Sequence, residues 1–157
     1  MEEPSLITKI LVGIDGSENS EKALNCALEV AEKFSASVSN TQRFQPPQEF
    51  EYQLNVLQQP IDSQSKTAPF IKDLRKLHEV VLSKATERAT KLKPNLKINA
   101  ELKEGDASMQ IVETAANGQF DLIVIGHRGH SKINELFLGS TSEKVAHLAR
   151  CAVLITN

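Results

Sequence analysis

Apolar residues follow two rhythms along this chain. Short β-branched runs at Ile7 to Ile14, Leu122 to Ile125 and Ala152 to Ile155 show little alternation. All three predict strands, and the wholly apolar Leu122 to Ile125 predicts one covered on both faces, as inside parallel sheets. Elsewhere apolar residues recur every three or four positions, the period of a half-buried helix. Ala23, Leu24, Ala27, Leu28 and Ala31 predict a first helix, capped by Ser17 and ending near Phe34. Ile71, Leu74, Leu77, Val81, Ala85 and Ala89 predict a second, opening at Pro69 and stopping by Pro94. Met109, Ile111, Val112, Ala115 and Ala116 place one apolar side on a third, capped by Asp106, with Gly118 as the residue past its end. Val145, Leu148 and Ala149 mark a fourth that opens at Ser140.

Leu96, Ile98, Ala100 and Leu102 alternate strictly and predict a half-covered strand at a sheet edge. One stretch breaks the pattern. Residues 36–44 stand where a second strand belongs, yet only Val38 and Phe44 are clearly apolar. A strand buried on both faces should not be so polar, which predicts either a short irregular strand or one with a face open to water. Residues 45–68 are rich in Gln, Pro, Ser and Asp, and Pro46, Pro47 and Pro60 discourage helix and central strand. They read as a mobile connection with a helical turn near Glu51 to Leu57.

The order β-α-β-loop-α-β-α-β-α-β implies one open α/β domain over residues 1–157, a parallel sheet with helices on both faces. Ligands of such sheets sit at the carboxyl ends of the strands, where connections leave in opposite directions.

Composition narrows the class. The chain has 157 residues, 40% hydrophobic and 24% charged, an ordinary globular balance. Its net charge is −2 with cations scattered, which argues against a nucleic-acid partner. No apolar run approaches the ~20 residues of a transmembrane helix, and the acidic, polar start is unlike a signal peptide, so a cytoplasmic protein is expected. Cys26 and Cys151 have no metal-ligand spacing and predict buried, reduced thiols. The chain carries neither Gly-x4-Gly-Lys-Ser/Thr nor Gly-x-Ser-x-Gly, so it is neither a P-loop enzyme nor the usual α/β-hydrolase.

The chemistry gathers after the strand at Leu122 to Ile125. Gly126, Gly129 and Gly139 follow it in the pattern Gly-x2-Gly-x9-Gly-Ser, and Ser140, Thr141 and Ser142 open the last helix. Bare amides at glycines and at a helix start suit phosphate. Ser140-x-x-Glu143 is equally a capping box. Asp15, between first strand and first helix, suits a ribose hydroxyl or Mg²⁺ held through phosphate, or else an Asx turn. Arg43 can stack on a base, and main-chain groups near Gln42 and Arg43 can read one. His78 on the second helix is assigned no role.

The glycine pattern, together with Ile10-Leu-Val-Gly-Ile-Asp-Gly-Ser17, Gly105-Asp106 and Cys151-Ala-Val-Leu-Ile155, resembles the universal stress protein family, ATP-binding type. The resemblance covers most of the chain. It implies an adenine-nucleotide α-hydrolase-like sheet of order 3-2-1-4-5, and a regulator of stress response that binds ATP, with or without Mg²⁺, and hydrolyses it slowly or not at all. It places Asp15 against the sugar, Gly126 against the adenosine and Gly129 against the phosphates. Gly139, Ser140, Thr141 and Ser142 would serve the triphosphate. His127 and Arg128 lie inside the loop; Arg128 and His130 either add charge beside phosphate or face solvent. It also implies a homodimer through strand 152–155, an edge that invites pairing. Two other readings stay open: an interaction module of the same fold that binds no nucleotide, and an ATP-pyrophosphatase-type enzyme, to which Asp15-Gly-Ser-Glu-Asn-Ser20 is loosely similar.

Overall fold

The structure, a computed structural model, describes residues 6–44, 67–129 and 137–157. Five strands, β1 (Lys9–Gly13), β2 (Ser37–Phe44), β3 (Ile98–Glu104), β4 (Leu122–Gly126) and β5 (Ala152–Thr156), form one parallel sheet in the order β3-β2-β1-β4-β5. Among the described residues, four helices pack on it: α1 (Glu18–Phe34), α2 (Thr67–Leu92), α3 (Ala107–Asn117) and α4 (Ser140–Leu148). The fold class, strand order and edge positions of β3 and β5 agree with the sequence reading. The expected helical turn at 51–57 and most of the expected mobile connection lie outside the described residues. The last two residues of that connection belong instead to α2, which begins at Thr67 and has Pro69 in its first turn, where a missing N–H costs nothing.

Strand parity divides the core into two layers. Ile10, Val12 and Ile14 of β1 and its exit, with Leu122 and Val124 of β4, face α1 and α2. Leu11, Ile123 and Ile125 face α3 and α4 through Ile111, Ala115 and Val145. β1 and β4 are therefore covered on both faces, which is why they carry uninterrupted apolar runs.

β2 meets the second of the two sequence expectations, with Ser37 and Ser39 half-exposed on one face, and not the first. It is neither short nor irregular: it pairs with β1 from Ser37 to Thr41 and with β3 from Val38 to Phe44. Two of its buried polar side chains, Asn40 and Gln42, meet polar partners on α2. Asn40 donates through Nδ2 to Thr86 Oγ1 at 3.2 Å, and Gln42 Nε2 lies 2.9 Å from His78 Nδ1. A polar strand is tolerated where the helix covering it is polar at matching heights.

Other expectations are adjusted by one-residue phase errors. Leu77 is 63% exposed, because the stripe of α2 that meets the sheet runs through Leu74, His78, Val81, Leu82, Ala85 and Ala89. Met109 and Leu148 are also exposed and fill no core. Gly118 keeps a right-handed backbone at φ −83°, and the left-handed residue after α3 is Gln119 at φ 53°. Gly118 is needed for another reason: a Cβ there would stand 2.8 Å from Phe120 Cδ2 and 3.0 Å from the Thr114 carbonyl. Cys26 and Cys151 are free thiols, half-buried rather than buried. Burial pushes the Cys151 thiol pKa up.

Candidate nucleotide crevice

The connection after β1 turns to one face of the sheet and that after β4 to the other, so the carboxyl ends of these neighbours open a crevice. Its volume is about 390 Å³, within the range of small-molecule sites. Gly13, Ile14 and Asp15 form its floor, Thr41 and Gln42 one end, and Gly126, Arg128 and Gly129 the other; Thr141 and Ser142 enter from α4.

Each wall follows from local chemistry. Asp15 makes the Asx turn: its Oδ1 accepts from Ser17 N at 2.8 Å, and Ser17 Oγ in turn caps α1 by accepting from Ser20 N at 3.2 Å. Its other oxygen, Oδ2, stands so close beneath Gly129 that a Cβ there would overlap it. The turn and a place in the crevice are thus compatible roles for one carboxylate. Gly126 packs on the first turn of α1, where a Cβ would be 2.7 Å from Asn19 Cβ and 2.8 Å from Asn19 C. The helix requires this glycine, whatever ligand approaches it.

The two ends of the glycine loop are tied together by side chains. Arg128 is only 9% exposed, and its Nε and Nη2 donate to the Phe137 carbonyl at 2.8 and 2.6 Å. It therefore does not face solvent. Ser142 directs its hydroxyl proton to the carbonyls of Gly126 at 2.8 Å and His127 at 3.1 Å, and Gly139 N donates to the His127 carbonyl at 2.8 Å. The capping box is not formed, since Gly139 is the N-cap of α4 and has no side-chain cap. Ser140, Thr141 and Ser142 are consequently the first three helical residues, whose N–H groups find no acceptor within the helix.

Of the residues singled out in sequence, the crevice gathers Asp15, Gly126, Arg128, Gly129, Thr141 and Ser142. His127, Gly139 and Ser140 do not line it. The His127 backbone ties the loop to β5 through its N–H and the Thr156 carbonyl at 2.8 Å. Of Arg43 only the backbone, in β2, is described, and His130 lies outside the described residues. Odd residues of β2 direct their main-chain groups toward β1, as Ser37 N to Thr8 O and Ile14 N to Thr41 O show. Arg43 is not among the described lining residues; by that parity its amide and carbonyl face the β1 side, beyond Gly13↔Thr41, the last β1–β2 pair. Among the side chains in the wall that were given no role in sequence are Gln42 and His78. The signal was present: His78 is the one polar residue on the stripe Leu74, His78, Val81, Ala85. Among the described residues no cluster of three or more His, Cys, Asp or Glu is placed to hold a metal ion. Also among them, no helix is long and apolar enough to cross a membrane.

The model of the universal stress protein family matches residues 7–157. The chain belongs to this family. Universal stress protein YxiE of Bacillus subtilis is 28% identical over 159 residues, spanning 96% of this chain and 99% of that protein. Among solved structures, universal stress protein UspA from Lactobacillus plantarum superposes with a TM-score of 0.76 at 19% identity, covering 96% of this chain and 98% of that one. A universal stress protein in complex with cAMP gives a TM-score of 0.71 at 25% identity, covering 98% and 99%. One from Archaeoglobus fulgidus in complex with dAMP gives 0.64 at 20%, covering 97% and 99%. The fold is the adenine-nucleotide α-hydrolase-like sheet of these proteins.

Proposed function

We propose that this chain is a nucleotide-dependent regulator of stress response that binds ATP in the β1–β4 crevice and hydrolyses it slowly or not at all. The observation that carries the reading is the convergence of Asp15, Gly129 and the first turn of α4 on one crevice, from positions more than a hundred residues apart. The helix start suits phosphate through its unpaired N–H groups and positive dipole end. Asp15 suits a ribose hydroxyl, and the Arg43 backbone suits the edge of a base. The relatives crystallised with cAMP and dAMP support an adenine nucleotide as the ligand class. Mg²⁺, when present, would be carried on the phosphates, with Asp15 the carboxylate that lines the crevice. Hydrolysis also needs a positioned water and a group to orient it, and among the described crevice residues Asp15 is the carboxylate available for that.

Calorimetric titration with ATP, ADP, AMP and cAMP, with and without Mg²⁺, tests the reading. Gly129→Asp is the matched control, because it sets a second carboxylate against Asp15 and the expected phosphates. Micromolar binding lost in the variant is the expected result. Absence of binding, with no nucleotide carried through purification, would overturn it in favour of an interaction module. Homodimerisation through β5 is part of the proposal. An unpaired outer edge supports it, as do the exposed Leu154 on that strand and the exposed Leu148 of α4. Sedimentation of wild type beside Leu154→Lys checks it, a monomeric variant from a dimeric parent being the expected outcome.

A further inference from the structure

Gln42 reaches the crevice from the end of β2 and is 3% exposed. Its Nε2 lies 2.9 Å from His78 Nδ1, and His78 lines the same crevice from α2. An amide nitrogen can only donate, so the ring nitrogen it meets is the unprotonated one. With the amide in this orientation, Oε1 is its remaining polar atom. Oε1 is buried and has no hydrogen-bond partner among the described residues. Buried polar atoms are nearly always paired, so an orphan acceptor in a site wall marks a place for a donor supplied by a ligand. Asn40 Oδ1 is also unpaired, but Asn40 is absent from this crevice and packs under α2.

Position says which part of a ligand meets Gln42. The glycine loop stands over β4 and Gln42 over β2, with β1 between them, two strand spacings or about 10 Å apart. Phosphates at the loop direct the base toward β2. Adenine carries an exocyclic amino donor at its 6-position, whereas guanine and hypoxanthine carry an oxygen acceptor there. An acceptor set against Gln42 Oε1 would leave both groups desolvated and unpaired.

We propose that the Gln42 side-chain amide, oriented by His78, reads the exocyclic 6-amino group of the base and so selects adenine over 6-oxo purines. Gln42 is thus a specificity-determining residue and His78 its positioning residue. The inference rests on the nucleotide reading above, and its test separates the two. Wild-type protein is titrated with ATP, with purine riboside 5′-triphosphate, which lacks the amino group, and with inosine 5′-triphosphate. Loss of the amino group should weaken binding about tenfold or more, and the 6-oxo analogue should bind more weakly still. Gln42→Leu should weaken ATP by about the same factor while leaving the purine analogue unchanged. His78→Leu should lower the ratio of ATP to analogue affinity, which a merely structural role would not move. Equal affinity of wild type for ATP and the purine analogue would overturn the base reading and leave nucleotide binding standing. Absence of binding by all three, with no carried nucleotide, would overturn both. The wild-type titrations need no variant, so misfolding of a variant does not remove the test.

Discussion

Two glycines at the same crevice, Gly126 and Gly129, should respond very differently to one added methyl group. At Gly126 the new Cβ would stand 2.7 Å from Asn19 Cβ, 2.8 Å from Asn19 C and 2.9 Å from Asn19 O. Relaxed carbon contacts lie near 3.5–4.0 Å, so the first turn of α1 would have to withdraw by about 1 Å. That turn is pinned by the Asp15–Ser17 and Ser17–Ser20 hydrogen bonds, and Ala23, Leu24 and Ala27 behind it are fully packed. Overpacking against backbone costs about 1–3 kcal/mol, and the stiffer unfolded chain returns about 0.4–1. Gly126→Ala should therefore lose about 1–2 kcal/mol net, or about 2–8 °C in Tm for a chain of this size. At Gly129 the overlap falls on one atom, Asp15 Oδ2, the far end of a side chain, and the next neighbour is at an ordinary 3.7 Å. Gly129→Ala should cost no more than about 1 kcal/mol of stability while displacing the carboxylate from its place in the crevice. Thermal melts by circular dichroism, on protein stripped of nucleotide because bound ligand raises Tm, measure both. A Gly126→Ala variant that melts with the wild type, or a Gly129→Ala variant that falls equally far, would refute this division between a glycine required by packing and one required by the site.

Two further outcomes follow from polar groups that do not line the crevice. Asp121 accepts from Thr8 N, Thr8 Oγ1 and Lys9 N at 2.8, 2.9 and 3.0 Å, and these bonds, those from Thr8 foremost, hold its carboxyl below the ordinary value of 3.8. The unfolded chain therefore takes up the proton first, and the stabilisation is present at neutral pH and lost as pH falls through the lowered folded value. Asp121→Asn should cost about 1–2 kcal/mol at pH 7, and the gap to wild type in urea melts should close on acidification below the ordinary carboxylate range; a gap independent of pH would contradict the assignment. Asn40→Leu removes an orphaned Oδ1 at a site with no exposure, while Thr86 keeps its own bond to the Leu82 carbonyl. Its Tm should be unchanged or raised by about 2–4 °C, and a fall would mean that the amide contributes more than its one bond to Thr86.

What could be read in sequence depended on how far each signal reached. β1 and β4 were legible because coverage on both faces writes itself into consecutive residues. The caps at Ser17 and Asp106 were legible because each acts on amides three residues away. β2 was hard to read because Asn40 and Gln42 each meet a polar partner, Thr86 and His78, 46 and 36 residues further on, which no local window contains. Leu77, Met109 and Leu148 were taken as core because apolar residues one place off a helical stripe look periodic in sequence and face solvent in the fold. Ser140-x-x-Glu143 matched a motif, but α4 begins at Ser140 with Gly139 as its cap, so the box is out of phase by one residue.

The same limits explain how this crevice divides its work between main chain and side chain. Arg128 and Ser142, the buried polar side chains among the described residues of the loop and helix start, are turned inward onto carbonyls of residues 126, 127 and 137. They hold the shape of the cradle, and what that leaves toward the crevice is main chain: the amides of Thr141 and Ser142 and the face of Gly129. Backbone groups suit phosphate without distinguishing the base attached to it. Discrimination has to come from the other end, where β2 is unexpectedly polar. There Gln42 brings a side-chain amide with one atom committed to His78 and one unpaired. The feature that made β2 hard to read as a strand is thus the feature by which this crevice would distinguish one base from another.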